Sequence, residues 1–180
     1  MKINSLAVFC GSKKGNNPIY TQHAEELGKI LSDNNITLIY GGGNTGIMGA
    51  IANTMMQNGG KVIGIIPQKL VEWEHQHDNI TELSIVEDMH VRKKRMYELC
   101  DAAVILAGGV GTLDEFFEIV TWNQLSIHDK KIYILNSGNF FEYLLQHISQ
   151  MEKEGFLYES VIENITVVDE PGQLLQHINN

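Results

Sequence analysis

Seven short runs rich in valine and isoleucine, SLAVFC, ITLIY, KVIGIIP, LSIV, AAVILA, KIYILN and ITVV, alternate with segments of helical periodicity. Runs apolar on both sides must be covered on both faces, and strands that return through helices pair in parallel. The expected fold is therefore α/β, with a mainly parallel sheet flanked by helices at 18–34, 46–58, 88–100, 112–126, 140–153 and 172–178. The chain of 180 residues is long enough for one well-buried core and shows no linker or repeat, so a single domain over 1–180 is expected.

Thirteen lysines and arginines against twenty-two acids leave a net charge of −9, which argues against a nucleic-acid polymer as partner. The apolar run near the N-terminus is too short for a signal peptide, and no run approaches the ~20 residues that span a bilayer. A cytoplasmic protein without a membrane partner is expected. Cys10 and Cys100 stand at no metal-ligand spacing and read as small buried hydrophobes.

Ligands of parallel sheets bind beyond the carboxyl ends of the strands. Three glycine-rich loops fall at that edge: CGSKKGNNP, YGGGNTGIMG and AGGVGTLDE. Gly41, Gly43 and Gly46 satisfy the dinucleotide spacing between a strand and a helix, but the next strand ends GIIPQ, without the acid that would hold a ribose. A tight strand-to-helix turn explains them better than NAD binding. The loop of Gly108, Gly109, Gly111 and Thr112 lacks the Gly-Lys-Ser/Thr of a nucleoside-triphosphatase. It reads instead as backbone N–H groups at a helix start, enough for the single phosphate of a nucleoside monophosphate.

The acids behind that loop have two readings. Thr112 and Glu115 fit a capping box, in which side chains satisfy helix-end donors. Alternatively Glu115, one turn in, points at the sugar and stabilises the positive charge that develops when a base departs, or activates water. Asp114 and Glu118 read as solvated neighbours. In DMHVRKKRMYELC, residues Met89, Arg92, Met96 and Leu99 recur at helical spacing, so Arg92 sits on an apolar stripe and either snorkels outward or meets a buried anion. The acid and histidines of VEWEHQHDN read as a polar loop at the crevice rather than a metal site. Phe116, Phe117, Val120, Trp122 and Leu125 make their helix apolar on more than one face, as expected either of a helix that meets a partner subunit or of a core helix sandwiched under the C-terminal segment.

MHVRKKRM, AGGVGTLDE and TWNQLSIHDKKIYILN closely resemble the Lonely guy family of cytokinin-activating phosphoribohydrolases, often labelled lysine-decarboxylase-like. FCGSKKGNNPIY, YGGGNTGIMGAIA, WEHQH and KEGFL extend the likeness over nearly the whole chain. The resemblance implies a Rossmann-like, doubly wound domain that forms a homodimer. It also implies hydrolysis of the N-glycosidic bond of N6-modified AMP, releasing base and ribose 5-phosphate with no cofactor and no metal. By matching motif positions, Arg92 and Glu115 are the catalytic pair. Lys93, Gly109, Val110, Gly111, Thr112, Leu113 and Asp114 contact the nucleotide, Glu74 and Thr121 match further binding positions, and Ser12 is a further candidate. Ala107 stands where the family has proline, a change expected to loosen the loop more than to alter chemistry. The decarboxylase label finds no lysine placed to form a Schiff base. Two other functions fit the residues: a non-catalytic nucleotide or cofactor carrier of the same fold, and a hydrolase acting equally on plain AMP.

Overall fold

The computed structural model describes residues 2–71 and 75–178. All seven apolar runs form strands: β1 (Ser5–Phe9), β2 (Thr37–Tyr40), β3 (Val62–Pro67), β4 (Glu82–Val86), β5 (Ala102–Ile105), β6 (Lys131–Leu135) and β7 (Ile165–Val168). They form one sheet in the order β4-β3-β2-β1-β5-β6-β7, and every pair is parallel. Leu6 of β1 stands in register with Leu38 on one side and Ala102 on the other. The strand order reverses between β1 and β5, the doubly wound arrangement.

The helices are α1 (Ile19–Asp33), α2 (Gly46–Gln57), α3 (Met89–Leu99), α4 (Val110–Gln124), α5 (Glu142–Lys153), the single turn α6 (Val161–Asn164) and α7 (Pro171–Ile178). Strand residues alternate between two cores. Leu6 and Val8 pack with Leu27 of α1, Ile51 of α2 and Leu174 of α7. Ala7 and Phe9 pack on the other face with Met96 of α3, Phe116 and Ile119 of α4 and Ile148 of α5. Each fully buried leucine, isoleucine or phenylalanine contributes about 1.5–3 kcal/mol, so the two layers hold the sheet rigid beneath its loops.

The elements depart from the sequence expectation in four places. Helix α4 starts at Val110 with Gly109 as its N-cap, so Thr112 lies inside the first turn and the Thr112–Glu115 capping box does not form. Helix α5 starts late, because Ser137–Asn139 make a short 3-10 turn in which Gly138 and Asn139 are left-handed. The turn α6 was not expected; the Ser160 side chain caps it by accepting from Glu163 N. The fourth departure is the face of α3. Met89 and Leu99 are 37% and 39% exposed, while Lys93 and Tyr97 are buried beside Arg92 and Met96. Cys10 and Cys100 are both buried and form no disulfide, and burial pushes the Cys100 thiol up to about 11.

Candidate functional site

The loops after β1 and β5 part company at the reversal of strand order. Leu106 N donates to Phe9 O at 2.9 Å and Gly11 N to Ala107 O at 3.0 Å, which sews the two loops together at their base. Above this seam opens a cavity of about 750 Å³, a size suited to a small molecule. Ser12, Met48, Met89, Arg92, the 107–112 loop and Glu115 all line it. Its mouth carries Tyr20 and Phe140, stacked edge to face with ring centroids 5.4 Å apart.

One wall is the N-terminus of α4. The amides of Val110, Gly111 and Thr112 have no acceptor within the helix, and no side chain caps it. The four residues Gly108 to Gly111 divide by what their glycines do. A Cβ on Gly108 would strike Oγ1 of Thr112, so that glycine answers to packing. A Cβ on Gly109 or Gly111 would meet nothing within 4 Å, and neither residue has left-handed φ. Neither packing nor backbone conformation asks for glycine there; what the missing side chains keep open is the cavity beside the free amides.

The N-terminus of α2 is already filled. Gly11 O accepts from Ile47 N at 3.1 Å and Met48 N at 3.3 Å. Gly46 adopts φ +60°, and the backbone of Ser12 and Lys13 fills the space its Cβ would need. The Gly-x-Gly-x-x-Gly segment therefore closes the first loop onto α2, and the amides of Ile47 and Met48 are spent on Gly11 rather than offered to a pyrophosphate. At the reversal of strand order the start of α4 carries no side-chain cap among the described residues, and it suits one anionic group.

Arg92 and Glu115 face each other beside that end. Asp88 caps α3 by accepting from His90 N at 2.8 Å and Val91 N at 2.9 Å, which sets the helix one turn before Arg92. Arg92 is 6% exposed; its Nε donates to Ile65 O at 3.2 Å and its Nη2 to Gly41 O at 3.5 Å. Its Nη1 is 3.9 Å from Oε1 of Glu115, itself 7% exposed. A buried guanidinium anchored on two carbonyls, with its remaining edge toward a carboxylate and an open cavity, is placed to meet developing charge.

Lys93 faces away from the cavity. Its Nζ lies 2.9 Å from Oε2 of Glu118 and 3.1 Å from Oδ2 of Asp114, and Tyr97 donates its hydroxyl to Oε2 of Glu118 at 3.1 Å. Burial alone would lower the Lys93 pKa, but the hydrogen bonds it donates to Glu118 and Asp114, with their negative charges, outweigh it and the pKa is raised. A Schiff-base lysine needs the opposite, a neutral amine at working pH. Asp114 and Glu118 are thus partners of Lys93 rather than isolated solvated acids. Leu113 packs into the second core and Thr121 is exposed, and neither lines the cavity; Glu74 lies outside the described residues. Sequence reasoning gave Gly41 no part in the site, although its place beneath Arg92 requires a glycine. Among the described residues no three His, Cys, Asp or Glu side chains gather as a metal-binding group.

A family model described as possible lysine decarboxylase matches residues 48–178. The chain is 40% identical to a cytokinin riboside 5′-monophosphate phosphoribohydrolase of Rhodococcoides fascians, over 91% of this chain and 83% of that protein. It is 43% identical to a protein of the same name from Arabidopsis thaliana, over 87% of this chain and 73% of that one. Among solved structures, a molybdenum cofactor binding protein of Rippkaea orientalis superposes with a TM-score of 0.74 at 21% identity, covering 99% of this chain and 96% of that one. The molybdenum cofactor carrier protein of Chlamydomonas reinhardtii superposes with a TM-score of 0.70 at 15% identity, covering 97% and 94%. At those identities the two structures share the fold.

Proposed function

The chain belongs to the family described as possible lysine decarboxylase, in which relatives about 40% identical are cytokinin riboside 5′-monophosphate phosphoribohydrolases, and from that premise we propose that it hydrolyses the N-glycosidic bond of N6-modified AMP. The single observation that carries this reading is the buried Arg92–Glu115 pair, 3.9 Å apart beside an uncapped helix N-terminus. The amides of Val110, Gly111 and Thr112 receive the 5′-phosphate, helped by the helix dipole. Ser12 and the loop from Ala107 to Thr112 surround the nucleotide, and Glu74 and Thr121 are carried over as further contacts by family position. The base lies toward the apolar wall that holds Met48 and Met89.

Chemistry follows from the pair. As the bond between C1′ and the base nitrogen breaks, its electrons leave with the base and positive charge builds on the ribose ring. The Glu115 carboxylate stabilises that charge and accepts a proton from the attacking water, whose oxygen bonds to C1′. The proton that Glu115 has taken passes to the departing base nitrogen, so the neutral base leaves, Glu115 is again a carboxylate and ribose 5-phosphate remains. Arg92 balances the charge of Glu115 and of the bound nucleotide.

The working unit is a homodimer. Phe117, Leu125 and Ile127 are 37%, 65% and 61% exposed along and just beyond α4, an apolar strip suited to a second copy of the chain. No helix among the described residues is long and apolar enough to cross a membrane. The enzyme acts in the cytoplasm.

The test is to incubate the protein with N6-isopentenyl-AMP, AMP and the corresponding dephosphorylated ribosides, and to measure free base by chromatography. Release from the monophosphates alone supports phosphate anchoring, and the ratio between the two nucleotides separates a cytokinin enzyme from a general hydrolase. Bound AMP without release of base would replace the enzyme with a carrier.

A further inference from the structure

The Arg92–Glu115 contact is too long for a hydrogen bond, so the pair does not hold itself at its own separation. Something else sets the distance between α3 and α4 at this point. One residue along each helix lies a tighter contact. Lys93 follows Arg92 and Asp114 precedes Glu115, and the Lys93 ammonium lies 3.1 Å from Asp114 and 2.9 Å from Glu118 one turn further on. Tyr97, a turn below Lys93, donates to Glu118 and lies with its hydroxyl 3.3 Å from the backbone carbonyl of Glu115. The Tyr97 ring is clamped edge-on between Phe9 of the sheet and Trp122 of α4, with centroids 5.8 Å and 4.9 Å away. Lys93 is 8% exposed and does not line the cavity.

We propose that Lys93 is a positioning residue rather than a nucleotide contact: with Glu118 and Tyr97 it clamps α4 to α3 and so sets the distance between Arg92 and Glu115. The chemistry of the group suits the task. An ammonium carries three donors and tolerates two carboxylate partners at different angles, so it bridges successive turns of α4 from a single point on α3. The Tyr97 hydroxyl ties the same cluster to the main chain of Glu115. A displacement of Glu115 by even 1 Å costs rate steeply, because a charge-stabilising group acts only in the right geometry.

This inference rests on the proposed hydrolysis, and the test separates the two. The variant Lys93→Met/Glu118→Gln removes the clamp without changing the net charge beside the phosphate site. Tyr97→Phe removes only a hydroxyl and keeps the ring packing, so it folds even if the double variant does not. Base release from N6-isopentenyl-AMP is followed for both and for the wild type, with thermal melts as the check on folding. The expected result is a fall in kcat of about tenfold or more for the double variant and about threefold for Tyr97→Phe, with KM unchanged within about threefold. Lys93→Arg, which keeps the cation and its carboxylate partners, restores most of the kcat. An unchanged kcat with KM raised about tenfold makes Lys93 a nucleotide contact and overturns the clamp. Variants indistinguishable from an active wild type also overturn it, whereas a wild type that releases no base overturns the hydrolase reading itself.

Discussion

The guanidinium of Arg92 lies directly over the bare α-carbon of Gly41: a methyl group there would overlap Nη2 and crowd Cζ at 3.1 Å. The same residue offers its carbonyl to Nη2 at 3.5 Å. Gly41 is thus the floor on which the Arg92 guanidinium rests. Gly41→Ala should displace the guanidinium and lower kcat by about 10- to 100-fold, approaching the loss expected for removing Arg92 itself. Steady-state kinetics on the monophosphate substrate, beside Arg92→Ala, checks this; unchanged turnover would mean that Arg92 has room to move without consequence.

Glu115→Gln keeps the shape of the side chain and removes its charge. Because α4 is capped by Gly109 and the Thr112–Glu115 box does not form, the variant should fold and bind AMP much as the wild type does. Turnover should fall by about 10²- to 10⁴-fold. Single-turnover base release together with calorimetric AMP binding separates the two effects, and activity near wild type would remove Glu115 from the chemistry.

Gly111→Ala adds a methyl group where the protein leaves open space. Within a helix this change stabilises by up to about 1 kcal/mol, which raises Tm by about 2–4 °C in a chain of this size. The same methyl intrudes beside the free amides, so KM for the monophosphate should rise about tenfold while binding of the riboside lacking phosphate stays put. A more stable protein with poorer nucleotide binding is the signature; equal effects on both substrates would place the phosphate elsewhere.

Gly46→Ala tests the closure of the first loop onto α2. At φ +60° and against the backbone of Ser12 and Lys13, the added Cβ forces the loop to move. The expected cost is about 1–3 kcal/mol or more, visible as a Tm lower by several degrees. A melt superimposable on that of the wild type would show that loop and helix are not tightly joined.

Asp88 gives a pH dependence. Its carboxyl is held below the ordinary carboxylate range, chiefly by the hydrogen bond from Val91 N–H and further by that from His90 N–H, against a smaller opposing effect of desolvation. A carboxyl lowered in the folded state stabilises fully above its unfolded pKa and loses that stabilisation as pH falls through the folded value. Asp88→Asn keeps a capping oxygen that does not titrate, so its Tm should decline less steeply than that of the wild type below about pH 4. Melts from about pH 7 to about pH 2.5 compare the slopes; parallel curves would assign the acid sensitivity to other groups.

The strands were legible because a parallel sheet demands continuous apolar runs, and each of the seven expected runs pairs as foreseen. The place of Arg92 on the apolar side of its helix was legible too, from its helical spacing with Met96, and of the two readings left open, outward or buried, the structure has the buried one. The face of α3 was misread for a physical reason: periodicity counts Lys93 as polar, but Asp114 and Glu118, more than twenty positions away, cancel its charge and allow it inside. The start of α4 was misread because a threonine after glycines looks like a cap, whereas Gly109 takes that position and frees the amides. The plug in α2 had no signal at all, since a backbone carbonyl of Gly11 supplies it and every residue has one.

That plug bears on what the cell can afford to leave unguarded. Cleavage of a glycosidic bond by water is not readily reversed, and adenosine triphosphate carries the same sugar and base as the monophosphate. A doubly wound fold with two open helix ends would welcome a chain of phosphates. With the carbonyl of Gly11 seated in one of them, the amides of Ile47 and Met48 are already spent, and α4 is left to offer its own first amides to a single anionic group.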